Sequence, residues 1–318
     1  MTTPDYPFVI TWAELRLQAE ARLRDANALR PDTEARWMVE RVSGYEGAEL
    51  VINEQERATT EARQHLDDML ERRVGGEPLQ YVLGRWDFLG LDLLVDRRVL
   101  VPRPETEVVA QTAIEEAERL GARRGKHDGW LAGDTSYVVA DLGTGSGAIA
   151  LVLARELPDA EVWATDVSDE ALAVARANVA GVGSAATRVR LHAGSWYDAL
   201  PPELSGRLRV IVANPPYIAE HEVHDLPRDV ADWEPRGALV SGPTGFEALE
   251  VLIANAPAWL DPAGGALVLE LAPHQAERAL ELAAAAGFTD ARVDRDLVGR
   301  ARMLVARIPE TSPGEPGA

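Results

Sequence analysis

The sequence predicts an α/β protein in which a parallel sheet is covered by helices on both faces. A small all-helical domain precedes the sheet and a β-hairpin joins the two. Apolar side chains recur at helical spacing over about the first 75 residues, whereas short β-branched runs alternate with helical segments after Tyr137. Between these regions, from Arg85 to Val101, apolar and polar residues alternate as they do in strands.

The N-terminal region predicts a bundle of three to five helices. Thr11 and Glu14 have the spacing of a capping box, and apolar residues then repeat every three or four positions. Pro31 opens a second helix that Gly44 closes, and Gly75-Gly76 ends a third. Nothing in this bundle indicates chemistry of its own, so we expect it to stabilise the protein or dock its substrate.

The remainder of the chain predicts the hairpin and the sheet. We place the hairpin turn at Leu89-Gly90, a helix from about Glu105 to Leu120, and a surface loop from Gly121 to Ser136. The predicted parallel strands and a closing pair are centred on Val138–Ala140, Val162–Thr165, Val189–Leu191, Val210–Val212, Ala266–Leu271, Val293 and Met303–Val305.

These elements predict four parts along the chain. Residues 1–84 form the helical substrate-recognition domain, and residues 85–104 form the hairpin and linker. Residues 105–308 form the sheet domain, which we expect to be Rossmann-like. Residues 309–318 are rich in Pro and Gly and are expected to be a disordered tail.

Composition narrows the classes of function. The chain has 52 acidic and 32 basic residues, a net charge of −20 and no cysteine. Such a charge repels phosphate backbones, which argues against direct nucleic-acid binding, and the absence of cysteine excludes disulfides and thiolate-bound zinc. We find no signal peptide and no apolar run long enough for a membrane span, so we expect a cytoplasmic protein without membrane contact.

A glycine-rich turn follows the first strand of the predicted sheet. It reads Asp141-Leu142-Gly143-Thr144-Gly145-Ser146-Gly147 and leads into an Ala-rich helix. Alternate glycines let the backbone turn sharply and let a ligand lie against it without meeting a Cβ atom. The spacing also fits a dinucleotide-binding fingerprint, so a nicotinamide enzyme is an alternative at this point.

Two acidic residues favour a different cofactor. Asp141 ends the first strand, where a carboxylate suits a cationic amine better than a pyrophosphate, and Asp166 ends the second, where it can bind ribose hydroxyls. S-adenosylmethionine fits these two carboxylates, because it carries a sulfonium, an ammonium and a ribose but no phosphate. Either carboxylate can instead cap the following helix, a role for which Ser168 is also available.

The most specific motif is Asn214-Pro215-Pro216-Tyr217, at the end of the fourth strand. The Asn214 side-chain oxygen and the Pro215 carbonyl can accept the two N–H bonds of a planar NH2 group. This returns electron density to the nitrogen and aligns it with a methyl donor. Tyr217 can stack on the flat substrate group. The motif therefore predicts methyl transfer to an amide or amino nitrogen, and it excludes the nicotinamide alternative, which gives this loop no role.

Taken together, these motifs resemble the release-factor glutamine N5-methyltransferases. Three further segments carry the resemblance over roughly residues 10–308, and they read Glu77-Pro78-Leu79-Gln80-Tyr81-Val82-Leu83-Gly84, Val101-Pro102-Arg103-Pro104-Glu105-Thr106-Glu107 and Glu234-Pro235-Arg236-Gly237-Ala238-Leu239. The resemblance implies a class I S-adenosylmethionine-dependent methyltransferase domain. It also implies a substrate, the glutamine of the Gly-Gly-Gln motif in class 1 peptide release factors.

The resemblance also assigns residues by position. The cofactor residues would be Gly143, Thr144, Gly145, Ser146, Gly147, Asp166, Trp196 and Asn214. The product formed from the cofactor would be S-adenosylhomocysteine. Asn214, Pro215 and Tyr217 would be catalytic, with Pro216 also at the substrate. Ser195 departs from the family, which often has Asp there, so an adenine hydrogen bond from a carboxylate is not expected.

Several alternatives stay open from sequence. Arg103 and Glu105 are either substrate-facing or an ordinary helix start. A ribosomal-protein glutamine methyltransferase, an adenine-N6 or guanine-N2 methyltransferase of nucleic acid, and a non-catalytic cofactor-binding module share some of these motifs. His221 and His224 lie in an acidic loop that we expect to be solvated, and no step requires a metal. We expect a monomer.

Overall fold

The computed structural model describes residues 10–124, 137–296 and 298–309, with residues 121–124 described by their backbone alone. The chain divides into two compact units. The first comprises Met1–Arg85 and Pro227–Trp233, and the second comprises Trp86–Leu226 and Glu234–Ala318. The segment Pro227–Trp233 thus belongs to the helical unit, although its sequence position lies within the predicted sheet domain.

The first unit is a helical bundle. Its helices are α1 (Trp12–Asp25), α2 (Pro31–Ser43), α3 (Ala48–Ile52), α4 (Thr60–Val74) and α5 (Leu79–Leu83). The predicted capping box is present at the start of α1: the Glu14 amide donates to Thr11 Oγ1 at 3.3 Å, and the Thr11 amide donates to Glu14 Oε2 at 2.9 Å. Gly44 closes α2 with a left-handed φ of +76°, also as predicted.

The hairpin consists of β1 (Arg85–Phe88) and β2 (Leu91–Leu94). Its turn residues, Leu89 and Gly90, have φ angles of +50° and +78°, the left-handed values of a two-residue turn that matches strand twist. A leucine in this conformation costs about 1–2 kcal/mol. Packing of the Leu89 side chain against the core of the second unit offsets part of that cost.

The second unit is built on a seven-stranded sheet. The strands that follow the hairpin are β3 (Tyr137–Leu142), β4 (Ala160–Asp166), β5 (Val189–Ala193), β6 (Leu208–Ala213), β7 (Ile218–Ala219), β8 (Val240–Gly242), β9 (Ala266–Glu270), β10 (Asp290–Arg295) and β11 (Ala301–Arg307). The large sheet has the order β10-β11-β9-β6-β3-β4-β5, and β7 pairs with β8 in a small separate sheet.

The connections of this sheet place a crevice at its centre. β3, β4, β5, β6 and β9 run parallel, whereas β11 is antiparallel to both of its neighbours. From β3 the chain proceeds outward through β4 and β5, and then returns to β6 on the other side of β3. Such a reversal leaves the loops after β3 and β6 diverging, and ligands bind there at the carboxyl ends of the strands.

Helices cover both faces of the sheet. The longer ones are α6 (Pro104–Arg124), α7 (Ala148–Glu156), α8 (Asp169–Gly181), α11 (Glu247–Trp259) and α12 (Ala276–Ala285). Short turns α9 (Arg228–Ala231) and α10 (Arg236–Leu239) lie between β7 and β8 along the chain. Side chains from α6 and α7 pack on one face of the sheet, and side chains from α11 and α12 pack on the other. The strands β3, β6, β9 and β11 are therefore almost fully buried.

One boundary prediction is wrong. α6 continues through Arg124, whereas the sequence predicted a loop from Gly121. Ala and Arg are good helix formers, and they carry the helix past one glycine whose cost is about 1 kcal/mol. The rest of that predicted loop, 125–136, lies outside the described residues, as do 310–318 of the predicted tail. No helix in the described ranges has the length and apolarity to span a bilayer.

Candidate active site

The loop after β3 is a tight turn whose backbone conformation favours glycine. Gly143, Gly145 and Gly147 have φ angles of +78°, +57° and +85°, in the region that side chains disfavour. The amides of Gly143 and Thr144 both donate to the Thr165 carbonyl at 2.8 Å, which ties the loop to the end of β4. The sequence correctly predicted the turn, and its backbone is available to a ligand on one side.

Asp141 lies beneath this loop rather than on the wall of the cavity. Its Oδ2 accepts from Thr144 Oγ1 at 2.6 Å and from the Ala150 amide at 3.1 Å. Its Oδ1 is buried and has no hydrogen-bond partner among the described residues. Burial raises the pKa of Asp141 to about 7. The carboxylate therefore organises the loop and retains one free acceptor, and direct contact with the cofactor stays a prediction.

Asp166 closes the other side of the loop. Its Oδ2 accepts from the Gly145 amide at 2.8 Å, and its Oδ1 accepts from the Ser168 amide at 2.9 Å. Burial raises its pKa. Ser168 itself caps α8 by accepting from the Ala171 amide at 3.1 Å. Asp166 is thus not needed as the helix cap, which leaves its remaining lone pairs for a ligand.

A cavity of about 350 Å³ opens between these loops, within the range of small-molecule sites. Eight of the predicted site residues line it: Gly143, Thr144, Gly145, Ser146, Asp166, Trp196, Asn214 and Pro216. Six others do not: Asp141, Gly147, Pro215, Tyr217, Arg103 and Glu105. Ser195, the departure from the family pattern, also lines the cavity.

Trp196 lies against the glycine turn. A Cβ atom placed on Gly143 would be 3.1 Å from Cζ3 of the Trp196 ring, so the backbone and the indole are in direct contact. Trp196 itself has a left-handed φ of +46°. An aromatic residue held in this conformation after β5 provides a flat apolar wall, which suits the cofactor role that the resemblance implies for Trp196.

Asn214 follows β6 and is held by a hydrogen-bonded chain. Its Nδ2 donates to Thr106 Oγ1 at 3.0 Å, and Thr106 Oγ1 donates to the buried Glu270 Oε2 at 2.7 Å. Fixing the amide nitrogen in this way leaves the side-chain oxygen as the free acceptor. The arrangement is the one that the predicted role of Asn214 requires.

The rest of the motif is rigid and partly buried. Pro216 lines the cavity, whereas Pro215 is buried and does not line it. Burial, together with the nearby Glu270 carboxylate, raises the pKa of Tyr217 to about 12. The carbonyl of Tyr217 accepts from Gln275 Nε2 at 3.4 Å, and Gln275 Nε2 also donates to the Gly245 carbonyl at 2.8 Å.

The two charged residues left open by sequence are both in ion pairs. Arg103 pairs with the buried Glu234 at 2.5 Å, and Glu105 pairs with Arg300 at 2.8 Å. Glu234 begins the third family segment, whose residues Pro235, Gly237 and Ala238 line the cavity. The ion pair therefore joins two segments 131 residues apart, next to the cavity wall. A substrate-facing role for Arg103 and Glu105 stays a prediction.

Sequence reasoning missed Thr106, Glu270 and Gln275 as parts of this site. A signal existed for Glu270, since it is an acidic residue at the end of an otherwise apolar strand, Ala266–Glu270. Its side chain is almost fully buried, and burial raises its pKa to about 7. The described residues include no group of three or more His, Asp or Glu side chains arranged to hold a metal ion.

The residues present fit a cationic nucleoside cofactor. The free buried Oδ1 of Asp141 suits a positive charge, and the Cβ position of Gly145 faces open space. Asp166 and Trp196 line the cavity where a ribose and a base can lie. The fold and the site together define a class I methyltransferase, a class whose general methyl donor is S-adenosylmethionine.

Comparisons with known proteins then identify the family. Residues 14–84 match the PrmC N-terminal domain, and residues 130–229 match the methyltransferase small domain. A release factor glutamine methyltransferase of Bordetella pertussis is 40% identical over 273 residues, covering 86% of this chain and 93% of the relative. One from Deinococcus radiodurans is 38% identical over 298 residues, covering 92% and 97%. The chain belongs to the release factor glutamine methyltransferase family.

A solved structure supports the fold. The hMettl16 catalytic domain, solved in complex with the MAT2A 3'UTR hairpin 6, is similar with a TM-score of 0.53 and 16% identity, covering 78% of this chain and 84% of that one. At this identity the likeness shows the shared methyltransferase architecture alone.

Proposed function

We propose that this chain methylates the side-chain amide nitrogen, N5, of the glutamine in the Gly-Gly-Gln motif of class 1 peptide release factors. The methyl donor is S-adenosylmethionine and the product is S-adenosylhomocysteine. The observation that carries the proposal is the orientation of Asn214. Its amide nitrogen is bound to Thr106, and its residue lines the cavity beside the glycine turn. Membership of the family supports the choice of substrate.

The cofactor residues follow from the cavity. Asp166 would bind the ribose hydroxyls, Trp196 would pack on the adenine, and the free oxygen of Asp141 would attract the positive charge of the methionine end. Gly143 and Gly145 would let the ligand lie against the backbone. When bound, S-adenosylmethionine supplies an electrophilic methyl group on a sulfonium.

The residues of the loop after β6 prepare the amide for transfer. An amide nitrogen is a poor nucleophile because its lone pair is delocalised into the carbonyl. Asn214 Oδ1 and the Pro215 carbonyl accept its two N–H bonds, which returns electron density to the nitrogen and fixes its direction. Pro216 would stiffen the loop, and the ring of Tyr217, which does not line the cavity, would have to reach the glutamine side chain from beside it. The nitrogen that receives the methyl group becomes cationic and acidic, so it would lose one proton to water without a strong base.

The setting of the enzyme follows from the proposed substrate. Release factors act in translation, so we place the enzyme in the cytoplasm, acting as a monomer on a protein partner. The net charge of −20 supports a protein substrate over a nucleic acid, because phosphate contacts require Lys and Arg.

A radiolabelled methyl-transfer assay tests the proposal. The purified chain is incubated with S-adenosylmethionine and a class 1 release factor, and in parallel with the same factor carrying a replacement of the glutamine in Gly-Gly-Gln. Ribosomal proteins and RNA are offered in separate reactions. Label on the intact factor that disappears with the replacement supports the proposal.

The other outcomes would overturn the proposed substrate. Label on a ribosomal protein, with no label on the release factor, would make the chain a ribosomal-protein glutamine methyltransferase. Label on RNA would make it an amino-group methyltransferase of nucleic acid. No transfer to any fraction, together with binding of S-adenosylhomocysteine, would make it a non-catalytic binding module.

A further inference from the structure

Three polar side chains from distant parts of the second unit form one hydrogen-bonded chain behind the cavity. Thr106 lies in the first turn of α6, Asn214 follows β6, and Glu270 ends β9. Asn214 Nδ2 donates to Thr106 Oγ1 at 3.0 Å, and Thr106 Oγ1 donates to Glu270 Oε2 at 2.7 Å. Glu270 is buried and does not line the cavity, Thr106 is buried and lines it, and Asn214 lines it.

The direction of each hydrogen bond follows from the number of protons available. An ionised carboxylate only accepts, so Thr106 must give its single hydroxyl proton to Glu270. The hydroxyl oxygen can then only accept on its other side, and it selects the Nδ2 end of the Asn214 amide. The Oδ1 end must therefore turn away from Thr106. The charge on Glu270 thus determines which end of the Asn214 amide is free to meet a substrate.

A protonated Glu270 removes this constraint. Its carboxyl proton can be donated to Thr106 Oγ1, which frees the hydroxyl proton of Thr106 to point at Asn214. The favoured partner is then the Oδ1 atom of Asn214, and the amide turns over. In that state two N–H donors of Asn214, instead of an acceptor, face the substrate amide.

We propose that Thr106 and Glu270 are positioning residues that hold the Asn214 amide with its oxygen toward the substrate, and that protonation of Glu270 switches this orientation off. The proposal rests on the proposed function for its substrate, but the orientation itself is a property of this chain. It gives the enzyme an acid-sensitive step in which no catalytic residue changes its own charge.

The surroundings of Glu270 place its titration in an accessible range. Arg302 on β11 and Arg103 before α6 favour the charged form, and Glu105 on α6 opposes it. Burial is the largest influence and raises the pKa of Glu270 to about 7, although the hydrogen bond from Thr106, the second-largest influence, favours the charged form. Tyr217, from the loop after β6, also lies near, and the charge of Glu270 raises its pKa. Arg302 is shared with Asp296, 3.7 Å away, so it does not fully compensate Glu270.

Thr106 variants test the positioning role. Thr106→Val keeps the shape and removes the hydroxyl, Thr106→Ser keeps the hydroxyl, and Thr112→Val removes a buried hydroxyl elsewhere on α6 as a control. We expect kcat for the release factor to fall about 100-fold in Thr106→Val, as for a misplaced reactive group. Thr106→Ser and Thr112→Val should stay near the parent, and affinity for S-adenosylhomocysteine should be unchanged in all three. Equal kcat values for Thr106→Val and Thr112→Val would overturn the proposal.

The pH profile separates positioning from a packing role. In the parent, kcat should rise with pH through one ionisation near the pKa of Glu270, about 7. Glu270→Gln does not titrate, and its side-chain NH2 can donate to Thr106 as the protonated carboxyl does, so its profile should lose the acid limb and its kcat should stay low at every pH. An acid limb that persists in Glu270→Gln would assign the ionisation to another group, such as Asp141, and would overturn the switch.

A second readout does not depend on transfer. The side-chain NH2 of Asn214 gives a pair of ¹⁵N–¹H NMR signals that an Asn214→Asp variant assigns. We expect slow proton exchange and a pH-dependent shift in the parent and in Thr106→Ser, and fast exchange in Thr106→Val. Identical behaviour in all three would refute the orientation. A parent that shows these signals but does not methylate release factor would refute the proposed substrate alone.

Discussion

Replacing Asn214 by Ala separates methyl transfer from cofactor binding. The change removes the acceptor Oδ1 that we assign to the substrate amide, together with the Nδ2 donor to Thr106. The fold should tolerate it, because Thr106 keeps its own hydrogen bond to Glu270. One lost hydrogen bond costs about 1 kcal/mol of unfolding free energy, so the variant should fold.

The expected loss of activity is much larger than this loss of stability. Removing one polar group that stabilises a transition state reduces kcat by about 10²–10³-fold, or about 2.7–4 kcal/mol. Because the glycine turn, Asp166 and Trp196 are untouched, affinity for S-adenosylhomocysteine should change by less than about threefold. The two effects therefore differ by more than a factor of ten.

Two quantities are measured for each variant. The first is kcat for methylation of the release factor, and the second is the dissociation constant of S-adenosylhomocysteine from calorimetry. Asn255→Ala is the matched control, since Asn255 is an exposed residue of α11 whose Nδ2 donates to the Val251 carbonyl at 2.8 Å. Gly145→Val is the positive control for a damaged cofactor site, because Gly145 lines the cavity with a φ of +57°.

Two results would refute the reasoning. Asn214→Ala with parental kcat would show that the amide oxygen is not used in transfer. A loss of cofactor affinity as large as that of Gly145→Val would show that Asn214 mainly holds the cofactor.

Three further predictions concern the loops around the cavity. Gly143→Ala should weaken S-adenosylhomocysteine binding about tenfold in calorimetry, because its Cβ would lie 3.1 Å from the Trp196 ring at a φ of +78°; unchanged affinity would contradict the contact. Burial raises the pKa of Asp141 from 3.8 to about 7, so the folded protein keeps a proton that the unfolded chain loses. Unfolding free energy of the cofactor-free protein should therefore fall as pH rises from 4 to 7, and less steeply in Asp141→Asn, as measured by urea titration. Gln275→Ala should lower the unfolding free energy by about 1–3 kcal/mol, since it strands the buried Gly245 carbonyl and the part-buried Tyr217 carbonyl; a stability equal to the parent would show that water replaces the side chain.

Local features of this chain could be predicted because they depend on a few neighbouring residues. The capping box at Thr11 needs only Glu14, three positions away, and the hairpin turn needs only two residues between alternating strands. The glycine turn after β3 needs alternate residues without a Cβ atom. Its φ angles agree with that requirement at Gly143, Gly145 and Gly147.

The predicted roles of the acidic residues depended on burial, which a sequence shows poorly. Asp141 was predicted to face the cofactor, yet the fold places it under the turn, where it binds Thr144 and a backbone amide. The motif predicts that Asp141 lies at the end of β3, but it does not predict how deeply the side chain is buried. Burial is what raises its pKa, and one of its buried oxygens has no hydrogen-bond partner among the described residues.

Periodicity and backbone sterics are local, so the residues alone predict the parallel sheet, the glycine turn and the Asn-Pro-Pro-Tyr loop. The contacts that hold this loop come from distant parts of the chain and could not be predicted in this way. Thr106 lies 108 residues from Asn214 and 164 residues from Glu270, and Arg103 lies 131 residues from Glu234. These side chains meet because the strand order reverses between β3 and β6 and brings the ends of β6 and β9 beside the start of α6. Inside that low-dielectric interior, polar groups must find partners, and the only partners within reach are those that the fold supplies.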